Sequence, residues 1–379
     1  MMAAATAPSP AAPPGDLTLV TGAAGHLGAN LVQHLLAAGQ PLRVLLEPGA
    51  DASAMDGLPV ERVTGDLRDP SAMARAVEGC RRIYHAAARV STIDGDAAHR
   101  RDIFDTNVVG TRNLLTAART ARVERVVVTG SFSAVGHHLD DPSRPADETV
   151  PFFPFERAMP YERSKVLVEL EALRAVADGL DVVIATSCAI VGPNDFLPSR
   201  MGRTLCDHAN GRLRAYVPGG FEFVAARDIV QGHLLAMERG RTGHKYIFST
   251  QFLTLDDVLD VFEDTTGVPK PSARVPAAVL GPLSEVASRL LTRFRPAHPQ
   301  RLTPGAIRLL QLRRRADITK ARCELGYEPT SVVDAIREQY AFFHARGAIT
   351  NPAARLPTVT AEPASPLGCA AAPRPASTA

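Results

Sequence analysis

Closely spaced cysteines are missing from this chain. Its five, Cys80, Cys188, Cys206, Cys323 and Cys369, lie far apart, without the pairing that a disulfide framework or a zinc site requires. No metal is expected, and a reducing cytoplasm fits. A charge excess is missing too: 42 Lys and Arg stand against 40 Asp and Glu, a net +2, which gives no general pull toward nucleic acid. Apolar runs are short and broken by proline and charge, well below the roughly 20 residues that cross a bilayer. Residues 1–15 are rich in Ala and Pro but lack a basic stretch followed by an apolar core, so they read as a disordered extension rather than a secretory signal. There is no internal repeat. What remains is ordinary globular usage, 45% apolar and 22% charged, which favours chemistry on a small molecule.

Short β-rich runs alternate with longer helical stretches: Leu17–Thr21, Leu42–Leu46, Val60–Thr64, Arg82–His85, Val123–Thr129 and Asp181–Ser187. That rhythm predicts an α/β fold with a doubly wound parallel sheet of Rossmann type. After Gly192 the pattern loosens, as expected of a smaller lobe built over the carboxyl ends of the strands. The expected division is a core domain over 16–192, a substrate lobe with returning core elements over 193–348, and a disordered tail over 349–379. Pro276 to Arg295 carries apolar residues at helical spacing with arginines between them. It reads either as a packed lid helix or as a peripheral membrane contact. Arg313-Arg314-Arg315 reads as a solvated patch.

The first run leads directly into Gly22-Ala23-Ala24-Gly25-His26-Leu27-Gly28, and an Ala/Leu-rich helix follows. Glycines there permit a tight turn and close backbone approach, while the helix start presents N–H groups and a positive dipole end to an anion. Strand, turn and helix together predict a pyrophosphate cradle for a dinucleotide. Asp66 and Leu67 end the third run, and Ala86, Ala87 and Ala88 end the fourth, where small side chains suit a cofactor. Glu47 closes the second run. A carboxylate there accepts hydrogen bonds from an adenosine ribose and repels a 2′-phosphate, so NAD is expected over NADP.

Tyr161 and Lys165 open a later helix four residues apart, hence on one face. An ordinary tyrosine titrates near pH ~10; a neighbouring ammonium and an oxidised nicotinamide both favour its phenolate. Tyr161 is the expected general acid/base, with Lys165 as its partner and as a hold on the nicotinamide ribose. Ser131, with Ser133 as the alternative, follows the fifth run and supplies a hydroxyl for a substrate oxygen; loop hydroxyls bonding to backbone look the same in sequence.

Taken in order, these pieces resemble the extended short-chain dehydrogenases/reductases, the NAD-dependent epimerase/dehydratase superfamily, over Leu17 to Phe343. Gly22, Gly25 and Gly28 match its glycine motif, and Ser131, Tyr161 and Lys165 its catalytic set. The resemblance implies that Asn107 organises a helix and a proton-relay water, that Pro193 lies beside the nicotinamide, and that the chain forms a homodimer. Val224–Val230 and Lys320–Tyr327 look most like dihydroflavonol-reductase, 3β-hydroxysteroid-dehydrogenase and hopanoid-associated epimerase-like sequences. Where nucleotide-sugar epimerases often carry an arginine, this chain has Phe221-Glu222-Phe223. Phe153, Phe155, Phe196 and Phe221 suit an apolar substrate, or else simply fill the second lobe's core. The leading expectation is NAD-dependent interconversion of a secondary alcohol and a ketone on a steroid- or polyketide-like molecule. A nucleotide-sugar epimerase/dehydratase and a non-catalytic dinucleotide-binding protein are the alternatives.

Overall fold

The computed structural model describes residues 16–152, 155, 158–278 and 303–358. Phe153, the extension over 1–15 and nearly all of the Pro276 to Arg295 stretch lie outside them. Strands β1 (Leu17–Thr21), β2 (Leu42–Leu46), β3 (Glu61–Thr64), β4 (Cys80–His85), β5 (Arg125–Ser131) and β6 (Val182–Ser187) come first. β7 (Ala189–Val191), β8 (Ala215–Tyr216), β9 (Gly220–Ala225), β10 (Lys245–Phe248), β11 (Gln251–Thr254) and β12 (Ala273–Arg274) follow. Among the described residues the α-helices are α1 (His26–Ala37), α2 (Pro70–Val77), α3 (Ala97–Phe104), α4 (Gly110–Thr120), α5 (Pro160–Ala177), α6 (Arg200–Ala209), α7 (Ala226–Arg239) and α8 (Leu255–Thr266), with three more after residue 303.

Seven strands form one sheet in the order β10-β6-β5-β4-β1-β2-β3, parallel throughout. Its central strands are covered on both faces, which is why they read as unbroken apolar runs. Side chains alternate across β5: Val127 joins Leu31 and Leu35 of α1 and Ile229 of α7 on one face. Val126 and Val128 join Met73 of α2, Leu114 of α4 and Val168 of α5 on the other. From β1 the chain winds outward through β2 and β3, then returns to place β4 on the opposite side of β1. That reversal opens a crevice at the carboxyl ends of β1 and β4, where ligands of such sheets bind.

A second sheet, β11-β9-β7, stands over those ends, with β9 antiparallel to β11 and parallel to β7. Phe223, Phe262, Tyr340 and Phe343 form its core. The helix Pro304–Leu312 closes against it through Ile307 and Leu310, beside Val217 and Phe221.

Two expectations change. Residues 349–358 are tied down rather than trailing: Asn351 donates to Ala209 O (2.9 Å), Arg355 N to Thr266 O (2.8 Å) and Tyr340 Oη to Arg355 O (2.6 Å). These bonds offset an ordering cost that composition alone suggested would go uncompensated. The arginine triplet is not a uniform solvated patch either. Arg313 adopts left-handed backbone (φ 45°) at the end of Pro304–Leu312, and the reversal turns Arg314 inward, where it is buried. Strand β10 falls in the span where returning core elements are expected, and it completes the large sheet by pairing with β6.

Candidate active site

The glycine turn shows why no larger residue serves. Gly22 sits at φ +69°, and a Cβ on it would stand 2.6 Å from Ala87 N; one on Gly28 would stand 2.0 Å from Gly22 O. The turn closes through Gly25 N to Gly22 O (3.0 Å), and Ala29 N to Gly25 O (2.8 Å) begins α1. The helix start therefore faces the crevice with its first N–H groups unclaimed by the helix itself.

Two cavities meet at this turn. One, about 380 Å³, is lined by Glu47, Asp66, Leu67, Ala86, Ala87 and Ala88. The other, about 460 Å³, is lined by His26, Leu27, Ser131, Ser133, Tyr161 and Lys165, among others. Gly22, Gly25, Ala86, Ala88 and Val90 belong to both. A space of two lobes joined over a helix N-terminus fits a dinucleotide: a nucleoside at each end and the pyrophosphate on the turn.

At the first lobe, Glu47 directly follows β2 and pairs with Arg89 (3.2 Å), which also meets Asp102 (2.9 Å). Asp66 is bound by Arg68 (2.5 Å), whose guanidinium holds its carboxyl below the usual range. His26 lines the second lobe and also braces it. Its Nε2 lies 3.1 Å from Gly192 O and 3.0 Å from Pro193 O. Carbonyls only accept, so Nε2 carries the proton. Pro193 therefore contributes through its carbonyl, which also accepts from Asn30 (2.9 Å), and its ring lines neither cavity.

Asn107 lies in a π-helical turn, Asp105–Val109, between α3 and α4. Its side chain brackets the backbone of Arg89, accepting from Arg89 N (2.7 Å) and donating to Arg89 O (3.1 Å), and reaches Ser164 Oγ (2.9 Å) in α5. It lines neither cavity. Behind it Thr111 donates to Asn107 O (2.6 Å), so Thr111 must accept from His85 Nε2 (2.8 Å); His85 Nδ1 then accepts from Thr21 Oγ1 (2.7 Å). Burial pulls His85 down to about 3 and so favours this neutral arrangement.

Helix α5 starts at Pro160, its N-terminus closed by Glu162 accepting from Met159 N (2.7 Å). One turn in, Lys165 is buried and donates to Thr129 O (2.8 Å). Burial lowers its ammonium to about 8, with Glu169 pulling the other way. Burial raises the Tyr161 phenol, and a hydrogen bond with Ser131 offsets only part of that rise. Ser131 and Ser133 lie 2.8 Å apart, Oγ to Oγ, so the two candidate hydroxyls form one linked pair.

The phenylalanines separate. Phe221 lines the second cavity. Phe196 does not: it packs on Phe342 (5.2 Å between ring centres) beneath Arg346, the core role that its residue type equally allowed. Phe155 is exposed, edge-on to Phe152 at 6.0 Å, and lines neither cavity. Sequence reasoning missed Cys188 and Arg314 in the lining and noticed Glu222 only as part of the Phe221-Glu222-Phe223 stretch, where an aromatic stands in place of an arginine. Among the described residues, no helix is long and apolar enough to cross a membrane.

The sequence signature described as NAD dependent epimerase/dehydratase family matches residues 18–248. A Methylococcus capsulatus protein named sterol demethylase protein B is 45% identical over 332 residues, 88% of this chain and 99% of its own. An Arabidopsis thaliana 3beta-hydroxysteroid-dehydrogenase/decarboxylase is 28% identical over 344 residues, 82% of this chain and 75% of its own. The crystal structure of a Streptomyces venezuelae dTDP-glucose 4,6-dehydratase with NAD and TYD bound superposes with a TM-score of 0.69 at 25% identity, covering 89% of this chain and 99% of that one.

Proposed function

Since the chain belongs to the NAD-dependent epimerase/dehydratase family and is an NAD(P)-dependent oxidoreductase, we propose that it oxidises a secondary alcohol on a sterol-like substrate, with NAD as its cofactor. The observation that carries this reading is the second cavity. Ser131, Tyr161 and Lys165 open onto a space otherwise walled largely by Leu27, Val90, Ala189, Ile190, Phe221 and Leu309, which suits a fused-ring hydrocarbon. The buried Glu222 carboxylate in the same wall disfavours a diphosphate. The relatives named for sterol demethylation and hydroxysteroid dehydrogenation support the same substrate class. Glu47 supports NAD, standing where a ribose hydroxyl needs an acceptor.

NAD, when bound, supplies the hydride acceptor. Ser131 and Tyr161 hold the substrate oxygen. Tyr161 takes its proton as the carbonyl forms, and Lys165, one helical turn along, supplies positive charge that favours the phenolate. A substrate bearing a carboxylate on the neighbouring carbon becomes a β-keto acid. Its carbon–carbon bond then breaks, the electron pair passes into the ketone as an enolate, carbon dioxide leaves, and Tyr161 returns the proton to carbon. The name of the Arabidopsis relative contains both outcomes. Two chains pair through α4 and α5, where Leu170 and Leu173 stand exposed.

The test follows NADH absorbance with hydroxysteroids, with and without a neighbouring carboxylate, and sugar isomerisation with nucleotide sugars. Steroid-dependent NADH is expected, and Tyr161→Phe should bind NAD within a few-fold of wild type while losing about 10²- to 10⁴-fold in turnover. Sugar interconversion without net NADH overturns the proposal in favour of an epimerase.

A further inference from the structure

Arg314 is buried in the wall of the second cavity, although an arginine is seldom taken from water without a counter-charge. Among the described residues, one nitrogen makes all its hydrogen bonds. Nη2 donates to Phe132 O (3.0 Å), Gly136 O (2.9 Å) and Val135 O, and the guanidinium lies over the Phe132 ring, 4.7 Å from its centre. Nε, shielded from solvent, has no partner among the described residues. No carboxylate among them lies at ion-pair distance. Glu162 is engaged by Arg308 (3.0 Å) and Met159 N. Glu222 is held by Ser249 Oγ and by Ala316 N (2.9 Å).

The three carbonyls explain how the cation is held against the loop after β5, but carbonyls do not neutralise it. Burial draws the guanidinium down to about 10 inside this mostly apolar space, and among the described residues Glu162 eases its charge only from beyond ion-pair distance. Phe132, whose carbonyl it grips, directly follows Ser131, so the cation stands beside the group that receives the substrate oxygen.

We infer that Arg314 is the anchor for a substrate anion, a carboxylate on the carbon next to the reacting alcohol. This assignment rests on the proposed alcohol oxidation and narrows it to hydroxy acids. A carboxylate one carbon away from an oxygen held by Ser131 and Tyr161 falls on the loop side of the cavity. There a charge-assisted contact with the guanidinium supplies a close counter-ion. The anchor acts on binding, so its loss appears in KM for the acid more than in kcat.

The deciding measurement compares a 3-hydroxysteroid carrying a carboxylate on the adjacent ring carbon with its methyl ester, for the wild type, Arg314→Met and Arg314→Lys. Both the dissociation constant and NADH formation are read. Wild type is expected to bind the acid about 10- to 100-fold more tightly than the ester, Arg314→Met to lose that ratio, and Arg314→Lys to keep most of it. Because the ratio is taken within each variant, a shift of the Ser131 loop affects both ligands and cancels. A wild-type ratio near one, or a ratio that survives Arg314→Met, overturns the anchor. NADH from the ester without acid preference leaves alcohol oxidation standing and removes the anchor. An arginine-dependent acid preference without NADH from either steroid does the reverse.

Discussion

A methyl group at position 28 would press on the backbone, because the atom it meets is the Gly22 carbonyl oxygen at 2.0 Å. No rotamer relieves such a contact; α1 has to slide away from the turn. Gly28→Ala is therefore expected to weaken NAD binding about 10- to 100-fold, read by titration of NADH fluorescence, and unchanged affinity would place the pyrophosphate elsewhere. The glycines, and the four-residue interval between Tyr161 and Lys165, were legible because short-range covalent geometry dictates both. Arg314 was not. Its carbonyl partners lie at least 178 residues away in sequence, and only the left-handed turn at Arg313 decides that it points inward. Phe196 and Phe221 likewise look alike as residues; one packs on Phe342 and the other faces the cavity, a difference set by the two strands and helices around them.

Helix α3, the π turn and α4 run on without a break in backbone, so the stretch reads in sequence as one ordinary helix. The wide turn is where Asn107 reaches sideways to occupy both backbone groups of Arg89, and π turns recur at functional positions. Asn107→Ala leaves that N–H and C=O without their partner, at a cost of about 1–3 kcal/mol, measurable as a lower urea midpoint. Because Ala88 and Arg89 line the adenosine side, NAD affinity should fall with it; a variant as stable and as tight as wild type would mean that water replaces the amide. Among the strands, β1 and β2 matched their sequence runs end to end, since alternating or continuous apolar residues leave little choice of boundary. β10, four residues long, carries too short a pattern to stand out, and only its pairing with β6 makes it a strand.

Two buried histidines tie the chain's stability to pH. His85 lies among Thr21 and Thr111, and His233 between Thr129 and Ile229 O; burial pulls them to about 3 and about 4. Unfolded, each titrates near pH ~6.5. Their folded values are depressed, so their contribution is complete above that pH and is lost as pH falls, at up to about 1.4 kcal/mol per pH unit for each histidine. Glu148, Glu169 and Glu222, raised by burial, work in the opposite sense. The informative quantity is therefore a difference: between pH 6 and 4, the urea-derived stability of wild type should fall more steeply than that of His85→Gln by about 1.4 kcal/mol per pH unit. Parallel curves would mean that His85 is charged in the native state. The late return of β10 carries a consequence for biosynthesis. β6, buried on both faces in the finished protein, emerges from the ribosome with one edge open, and it stays open until Phe248 has been translated. Once β10 arrives, Glu148 takes up the amide of Ile247 (2.8 Å) on the new border, and the sheet no longer offers that bond to a neighbouring chain. A nascent polypeptide halted before Lys245 holds every strand around the nucleotide crevice yet presents a sticky edge, so it is a client for chaperones rather than a working domain.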